Sequence, residues 1–243
     1  DALPIFDKKT KIYGKICEKI CQALEPNKRL TIHQKKRFVR QNMAPIQDAI
    51  NTTEKLECGN RFDEIQFKFV PGRTMFKKKL AYLYTDKHGN ERGDSEKRLQ
   101  CRQNLLDFIE LAKQGKVEIK GKTMFIHELC QHVMNNLGLT DSEKDIINEQ
   151  YKSHLEHFRK IMVEKDVKLN KGVVLADFSG SMAGDPMNAA MAIAILISDL
   201  SSSPWNDRFI SFETEPQWIK LSHPKSNQSL TFCEKVKICQ NSP

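Results

Sequence analysis

Several features that would mark a membrane or secreted protein are absent from the 243-residue sequence. No stretch approaches the roughly 18 consecutive apolar residues of a membrane-spanning helix, and the first residues, DALPIFDKKTKIYG, lack the basic-then-apolar order of a secretory signal. The seven cysteines are odd in number and scattered, without the spacing of a zinc or redox C-x-x-C site. These absences predict an intracellular, cytoplasmic protein with free thiols and no membrane partner.

Complete catalytic motifs are also lacking. The segment GKVEIKGKT places five residues between Gly115 and Gly121, whereas a P-loop has four. His127-Glu128 and His132 are one residue too far apart for H-E-x-x-H, so the two imidazoles point to different faces of a helix. The sequence therefore predicts a protein that is not an enzyme.

Acidic residues are relatively few in the first third of the chain. The net charge is +8, and residues 1–90 hold 19 Lys and Arg against 10 Asp and Glu, so they account for the whole excess. Such a patch attracts RNA or an acidic protein partner, although a solvated helix face is the alternative. The candidate binding residues are Lys28, Arg29, Lys35, Lys36, Arg37, Arg40, Arg73, Lys77, Lys78 and Lys79.

Helical periodicity dominates the chain as far as about residue 168. In YGKICEKICQALE, apolar residues fall on one stripe at the helical period of 3.6 residues. Thr140 and Glu143 form a candidate capping box for a long helix over 141–165. The other predicted helices cover 32–50, 73–84, 95–114 and 125–136. The pattern predicts a basic, all-helical module over 1–168, resembling an irregular helical repeat.

The pattern changes after the segment DVKLNKG. VVLA indicates a short buried strand, PMNAAMAIAILISDL an apolar helix, DRFISF and QWIKL two further strands, and SLTFCEKVKIC the start of a helix. This order predicts an α/β domain over 169–243. The fold class is therefore α plus α/β.

A candidate metal site follows the first of these strands, in VVLADFSGSMAGDP. Asp177, Ser179 and Ser181 alternate along the segment, and ligands of open α/β sheets bind beyond the carboxyl ends of strands. A carboxylate and two hydroxyls are hard oxygen donors, which suit Mg²⁺ or Mn²⁺. So incomplete a ligand shell leaves a coordination position for an acidic residue of a protein partner.

The segment DFSGSM resembles the D-x-S-x-S sequence of the metal-ion-dependent adhesion site (MIDAS) of von Willebrand factor A domains. More widely, RLQCRQNLLDFIELAKQGKVEIKGKTMFIHEL and the residues from VVLADFSGSM to FISF are similar to an uncharacterised family of intracellular A-domain proteins. That family is distantly related to the Ro autoantigen, in which a TROVE module joins a helical-repeat RNA-binding ring to an A domain.

This resemblance implies a Rossmann-like A-type domain in which Asp177, Ser179 and Ser181 hold the cation. The family also supplies a later Thr and a later acid, and neither is identifiable in this sequence. Because only 71 residues run from Val173 to Pro243, we expect the N-terminal half of such a domain.

Three functions remain open at this point. The first is a non-enzymatic binding or scaffold protein with a cation-dependent protein-interaction site. The second is an RNA-binding ribonucleoprotein component that acts through the basic helical module. The third is a structural component of a larger assembly, in which the cation site is vestigial.

Overall fold

The computed structural model describes residues 11–27, 30–136, 138–169, 172–212, 215–223, 226 and 229–241. The chain forms two compact units, which divide between Arg61 and Phe62.

The described part of the first unit is helical, as its sequence pattern predicts. Helix α1 spans Lys11–Leu24, α2 spans Ile32–Ile50 and α3 spans Thr53–Cys58. A small apolar core around the buried Cys21 and Val39 joins the first two helices. The bounds of α2 are those predicted, whereas α3 was not predicted because six residues are too few for a helical period to emerge.

The second unit begins with two short 3₁₀ turns, Phe62–Glu64 and Phe67–Phe69. Four α-helices follow: α4 (Gly72–Tyr82), α5 (Glu96–Lys113), α6 (Ile126–Asn135) and α7 (Asp141–Glu164). All four agree with the predicted helices to within two residues. The capping box at the start of α7 is confirmed, because the side chain of Glu143 accepts a hydrogen bond from the Thr140 N–H at 3.1 Å and the Thr140 hydroxyl accepts one from the Glu143 N–H.

Hydrogen bonds between side chains of α7 and the backbone join α7 to the first residue of α4 and to the segment before α6. The Gln150 side-chain amide donates hydrogen bonds to the carbonyl oxygens of Gly72, at 2.9 Å, and Lys120, at 3.2 Å. The backbone N–H of Gly121 donates to the Ser153 hydroxyl at 3.2 Å. Glycine is needed at positions 72 and 121 because an added Cβ would lie 2.0 Å from the Lys120 carbonyl oxygen or 2.1 Å from that of Gln150.

The remainder of the second unit is a small mixed sheet with two helices. Strands β1 (Leu175–Ala176), β2 (Arg208–Ser211) and β3 (Trp218–Lys220) lie in the order β1-β2-β3, with β1 parallel to β2 and β2 antiparallel to β3. Helix α8 (Asp185–Leu200) connects the two parallel strands, which need such a crossover, and α9 (Phe232–Gln240) follows the sheet. The predicted order of strands and helices is confirmed.

One apolar core joins the helices before residue 168 to the sheet after it. Leu129 of α6 and Ile147 of α7 are fully buried in the same cluster as Ile195 of α8 and Phe209 of β2. The predicted division into 1–168 and 169–243 therefore does not coincide with the compact units. The pattern changes near residue 169, but the apolar faces of α6 and α7 are buried against elements that follow this point.

Candidate functional site

The three predicted cation ligands lie in the turn between β1 and α8. Asp177 directly follows the end of β1. A single 3₁₀ turn spans Gly180–Met182; Ser179 directly precedes this turn and Ser181 lies within it. The Asp177 carboxylate accepts a hydrogen bond from the backbone N–H of Ser179 at 2.8 Å. The hydroxyl oxygens of the two serines lie 3.0 Å apart and share a hydrogen bond. The turn thus places the Asp177 carboxylate beside the Ser179 backbone and the two serine hydroxyls beside each other.

The electrostatics of this turn favour a negative charge at Asp177. Hydrogen bonds from the backbone and the side chain of Ser179 hold the pKa of the Asp177 carboxyl below its usual range. The carboxylate is therefore ionised at neutral pH, and both serines are exposed to solvent. A hydrated cation can reach this turn without any rearrangement of the core.

The three oxygen ligands in this turn are of the type that Mg²⁺ or Mn²⁺ prefers, but they are too few to complete the coordination of either ion. One carboxylate and two hydroxyls offer three hard oxygen ligands, whereas Mg²⁺ takes six, several of which are commonly water. In the described part of the chain, no three His, Cys, Asp or Glu side chains form a cluster suited to a metal ion. A cation held here would depend on the Asp177 carboxylate, the two serine hydroxyls and further ligands from water or a partner.

The predicted basic patch divides between the two units. Lys28 and Arg29 lie outside the described residues. On α2, Arg37 and Arg40 are exposed. The remaining members of this group are Lys35, whose ammonium lies 2.7 Å from the Glu18 carboxylate, and the half-buried Lys36. Among the described members of the patch on α2, these two arginines are the exposed ones.

The members of the patch on α4 differ greatly in exposure. Lys77 is exposed and Lys78 is half-buried. Arg73 donates two hydrogen bonds to the Glu128 carboxylate, at 3.0 and 2.9 Å, so its guanidinium is already engaged in an ion pair although the side chain is 41% exposed. These bonds and one from a backbone N–H outweigh partial burial and hold the pKa of Glu128 below its usual value. Of these three basic residues, Lys77 is the one that projects fully into solvent.

Lys79 is not part of the surface. It is 5% exposed, and its ammonium lies 3.9 Å from the Glu143 carboxylate and donates to the Phe76 carbonyl at 3.2 Å. Burial lowers the pKa of Lys79, and Glu143 partly opposes that effect. His132 is itself partly buried, and this burial together with the charge of Lys79 lowers the pKa of His132 to about 4. The run of lysines predicts an exposed helix face that includes Lys79, but the position of Lys79 in the helix directs its side chain inward.

A buried cluster of charged side chains around Lys235 was not predicted from the sequence. The side chain of Lys235 is 2% exposed. Its ammonium forms ion pairs with the carboxylates of Asp199 and Asp207, the second at 3.3 Å. The Ser229 hydroxyl lies 2.8 Å from the same ammonium, and the Tyr151 hydroxyl donates to Asp199 at 2.7 Å. No local motif connects these five residues, since they come from α7, α8, the loop after α8, the segment before α9, and α9 itself. We refer to them as the Lys235 cluster.

The chain is similar to a described protein family and to a viral protein. Residues 171–242 match a family described as a domain of unknown function, DUF7788. The chain is also similar to the uncharacterized protein L728 of Acanthamoeba polyphaga mimivirus, with 25% identity over 211 residues, which are 85% of this chain and 33% of that protein. It thus spans about a third of the length of this relative. No solved structure matches the chain.

None of the helices in the described part of the chain combines the length and the apolar character needed to cross a bilayer.

Proposed function

We propose that this protein is a non-enzymatic binding or scaffold protein, whose β1–α8 turn holds a divalent cation that a partner's carboxylate contacts. Asp177 supplies the negative ligand, and Ser179 and Ser181 supply the hydroxyl ligands. Mg²⁺ bound there would provide the positive charge that attracts an acidic side chain. In this proposal the segment from residue 169 onward is the first half of a von Willebrand A-type domain.

The observation that carries the proposal is the presence of three oxygen donors within one turn at the carboxyl end of a parallel strand. The Asp177 carboxylate accepts a hydrogen bond from the Ser179 N–H at 2.8 Å, and the hydroxyl oxygens of Ser179 and Ser181 lie 3.0 Å apart. Helix α8 starts directly after this turn, so its N-terminal dipole also favours an acidic partner group. Six cysteines of the described residues carry free thiols, which suits an intracellular location.

Replacing Asp177 with asparagine should weaken Mn²⁺ binding at least about tenfold, which corresponds to about 1.4 kcal/mol. The substitution removes the single negative ligand while retaining the shape of the side chain. Binding can be followed through the loss of the free Mn²⁺ electron paramagnetic resonance signal, with Mg²⁺ as competitor.

The matched control is Asp185→Asn, which removes an exposed carboxylate from the first turn of α8. We expect this control to bind Mn²⁺ like the unmodified protein. If Asp177→Asn and Asp185→Asn bind the ion equally well, the β1–α8 turn is not a cation site. The third function, a vestigial site within a larger assembly, would then be favoured.

RNA binding is the second candidate, and it rests on the exposed guanidinium groups of α2. Arg37 and Arg40 both face solvent. Arginine is well suited to phosphate because its planar group offers paired N–H donors. This function and cation-dependent binding could coexist in one molecule, but they respond to different conditions: RNA binding weakens with salt, whereas cation-bridged binding is lost with EDTA.

Reversing both charges, in Arg37→Glu with Arg40→Glu, should weaken binding to a single-stranded RNA at least tenfold. Fluorescence anisotropy at several salt concentrations should also show a shallower salt dependence, because fewer phosphate contacts release fewer counterions. The control reverses the exposed Lys87 and Lys165 and changes the net charge by the same amount. Equal affinity of the two double variants would show that α2 is an ordinary solvated face.

A further inference from the structure

An apolar cavity lies between the start of α6, the middle of α7 and the exposed side of α8. Its volume is about 430 Å³, within the range of roughly 300–1,000 Å³ typical of small-molecule sites. Its apolar wall includes Met124, Phe125, Ile126, Phe158, Ala192 and Ile193. No residue of the candidate cation site or of the Lys235 cluster lines it.

Two large apolar side chains in this wall remain in contact with water. Phe125 is 65% exposed and Ile193 is 55% exposed. The Phe125 ring stacks on the imidazole of His127, with ring centroids 5.3 Å apart and an angle of 12° between the planes. A ligand that covered these side chains would gain about 25 cal/mol for each Å² of apolar surface removed from water.

The polar groups in the wall are basic or neutral, and none of the described residues that line the cavity is acidic. Lys122 carries the permanent positive charge. Its ammonium lies 3.7 Å from the Glu118 carboxylate, but both side chains are nearly half exposed, so this pair is weak. Glu118 is also engaged elsewhere, because it accepts a hydrogen bond from the Ser153 hydroxyl at 2.6 Å.

His154 adds a second polar feature to the wall. It is 7% exposed, and its buried Nε2 has no hydrogen-bond partner in the described protein, which is uncommon for a buried polar atom. Burial lowers the pKa of His154, so the ring is uncharged at neutral pH. Lys122 therefore sets the charge preference of the cavity at neutral pH.

We propose that this cavity binds a small amphipathic carboxylate, with its alkyl chain against Phe125 and Ile193 and its carboxylate near Lys122. The concave apolar wall selects the chain, and the presence of a cation without any acid in the wall selects a negative head group. This site is separate from the cation site, so either proposal can fail without affecting the other.

Isothermal titration calorimetry with decanoate and decanol tests the proposal, because the two ligands share one alkyl chain and differ in charge. We expect decanoate to bind the full chain more tightly than decanol. Lys122→Gln should weaken decanoate about fivefold and leave decanol unchanged. Ile193→Asp, at an exposed position that tolerates a polar residue, should weaken decanoate at least tenfold by removing apolar contact and adding repulsion.

The matched control is Lys160→Gln, which removes an exposed lysine of α7 that does not line the cavity. It should leave the affinity for both ligands unchanged. The proposal is overturned if decanoate gives no binding at millimolar concentration, or if decanol binds as tightly as decanoate. Equal affinity of Ile193→Asp and the unmodified protein for decanoate would overturn it as well.

Discussion

Replacing Lys235 with methionine is expected to lower the free energy of unfolding by about 3–5 kcal/mol, the usual cost of removing one partner from a buried ion pair. The ammonium is 2% exposed and lies against the carboxylates of Asp199 and Asp207, whose side chains are 8% and 16% exposed. Methionine fills a similar volume but leaves both carboxylates without a cation. Urea unfolding followed by circular dichroism measures the loss through the transition midpoint.

Two further variants separate this effect from general damage to α9. Lys237→Met changes a half-exposed lysine of the same helix, and we expect a change within about 0.5 kcal/mol. Adding Asp199→Asn to Lys235→Met removes one of the two orphaned charges and should recover part of the stability. If Lys235→Met is as stable as Lys237→Met, the cluster contributes little to the fold.

Replacing Gly121 with alanine should lower the free energy of unfolding by about 3 kcal/mol, at the upper end of the usual cost of overpacking. The added Cβ would lie 2.1 Å from the carbonyl oxygen of Gln150, a backbone atom that moves only if α7 moves. Displacement of α7 would also disturb the bonds from Gln150 to Gly72 and Lys120. The thermal midpoint should therefore fall by several degrees.

Gly180→Ala provides the contrast, because no atom lies within 4 Å of a Cβ added there. We expect its stability to match that of the unmodified protein within about 0.5 kcal/mol. Since Gly180 lies between the two serines of the β1–α8 turn, this variant also tests whether that turn tolerates a side chain. A loss in Gly180→Ala as large as that in Gly121→Ala would contradict the argument from close backbone approach.

The sequence predicts the candidate cation turn well because all its determinants are local. Asp177, Ser179 and Ser181 are close in the chain, and the apolar strand and helix around them are short periodic patterns. A turn of five residues leaves the three side chains few ways to diverge. Whether the turn holds a cation is a separate question, which the Mn²⁺ titration addresses.

The basic patch shows the limit of local reasoning. Lys77, Lys78 and Lys79 are consecutive and chemically identical in the sequence, yet the first is exposed and the last is buried beside Glu143. Consecutive helical residues are rotated by about 100°, so a run of three cannot share one face. The side that is buried depends on where α7 lies, and α7 begins about 60 residues further along the chain.

By itself, the sequence determined the positions of the long helices, the order of the strands and the location of the candidate cation turn. These features follow from periodicity, capping and spacing over a few residues, which do not depend on distant contacts. The tertiary structure alone decided which residues form the Lys235 cluster, where the apolar cavity lies, and that the chain divides between Arg61 and Phe62. Each of these depends on side chains brought together from distant elements, because burial and ion pairing are properties of packed surfaces and not of short segments.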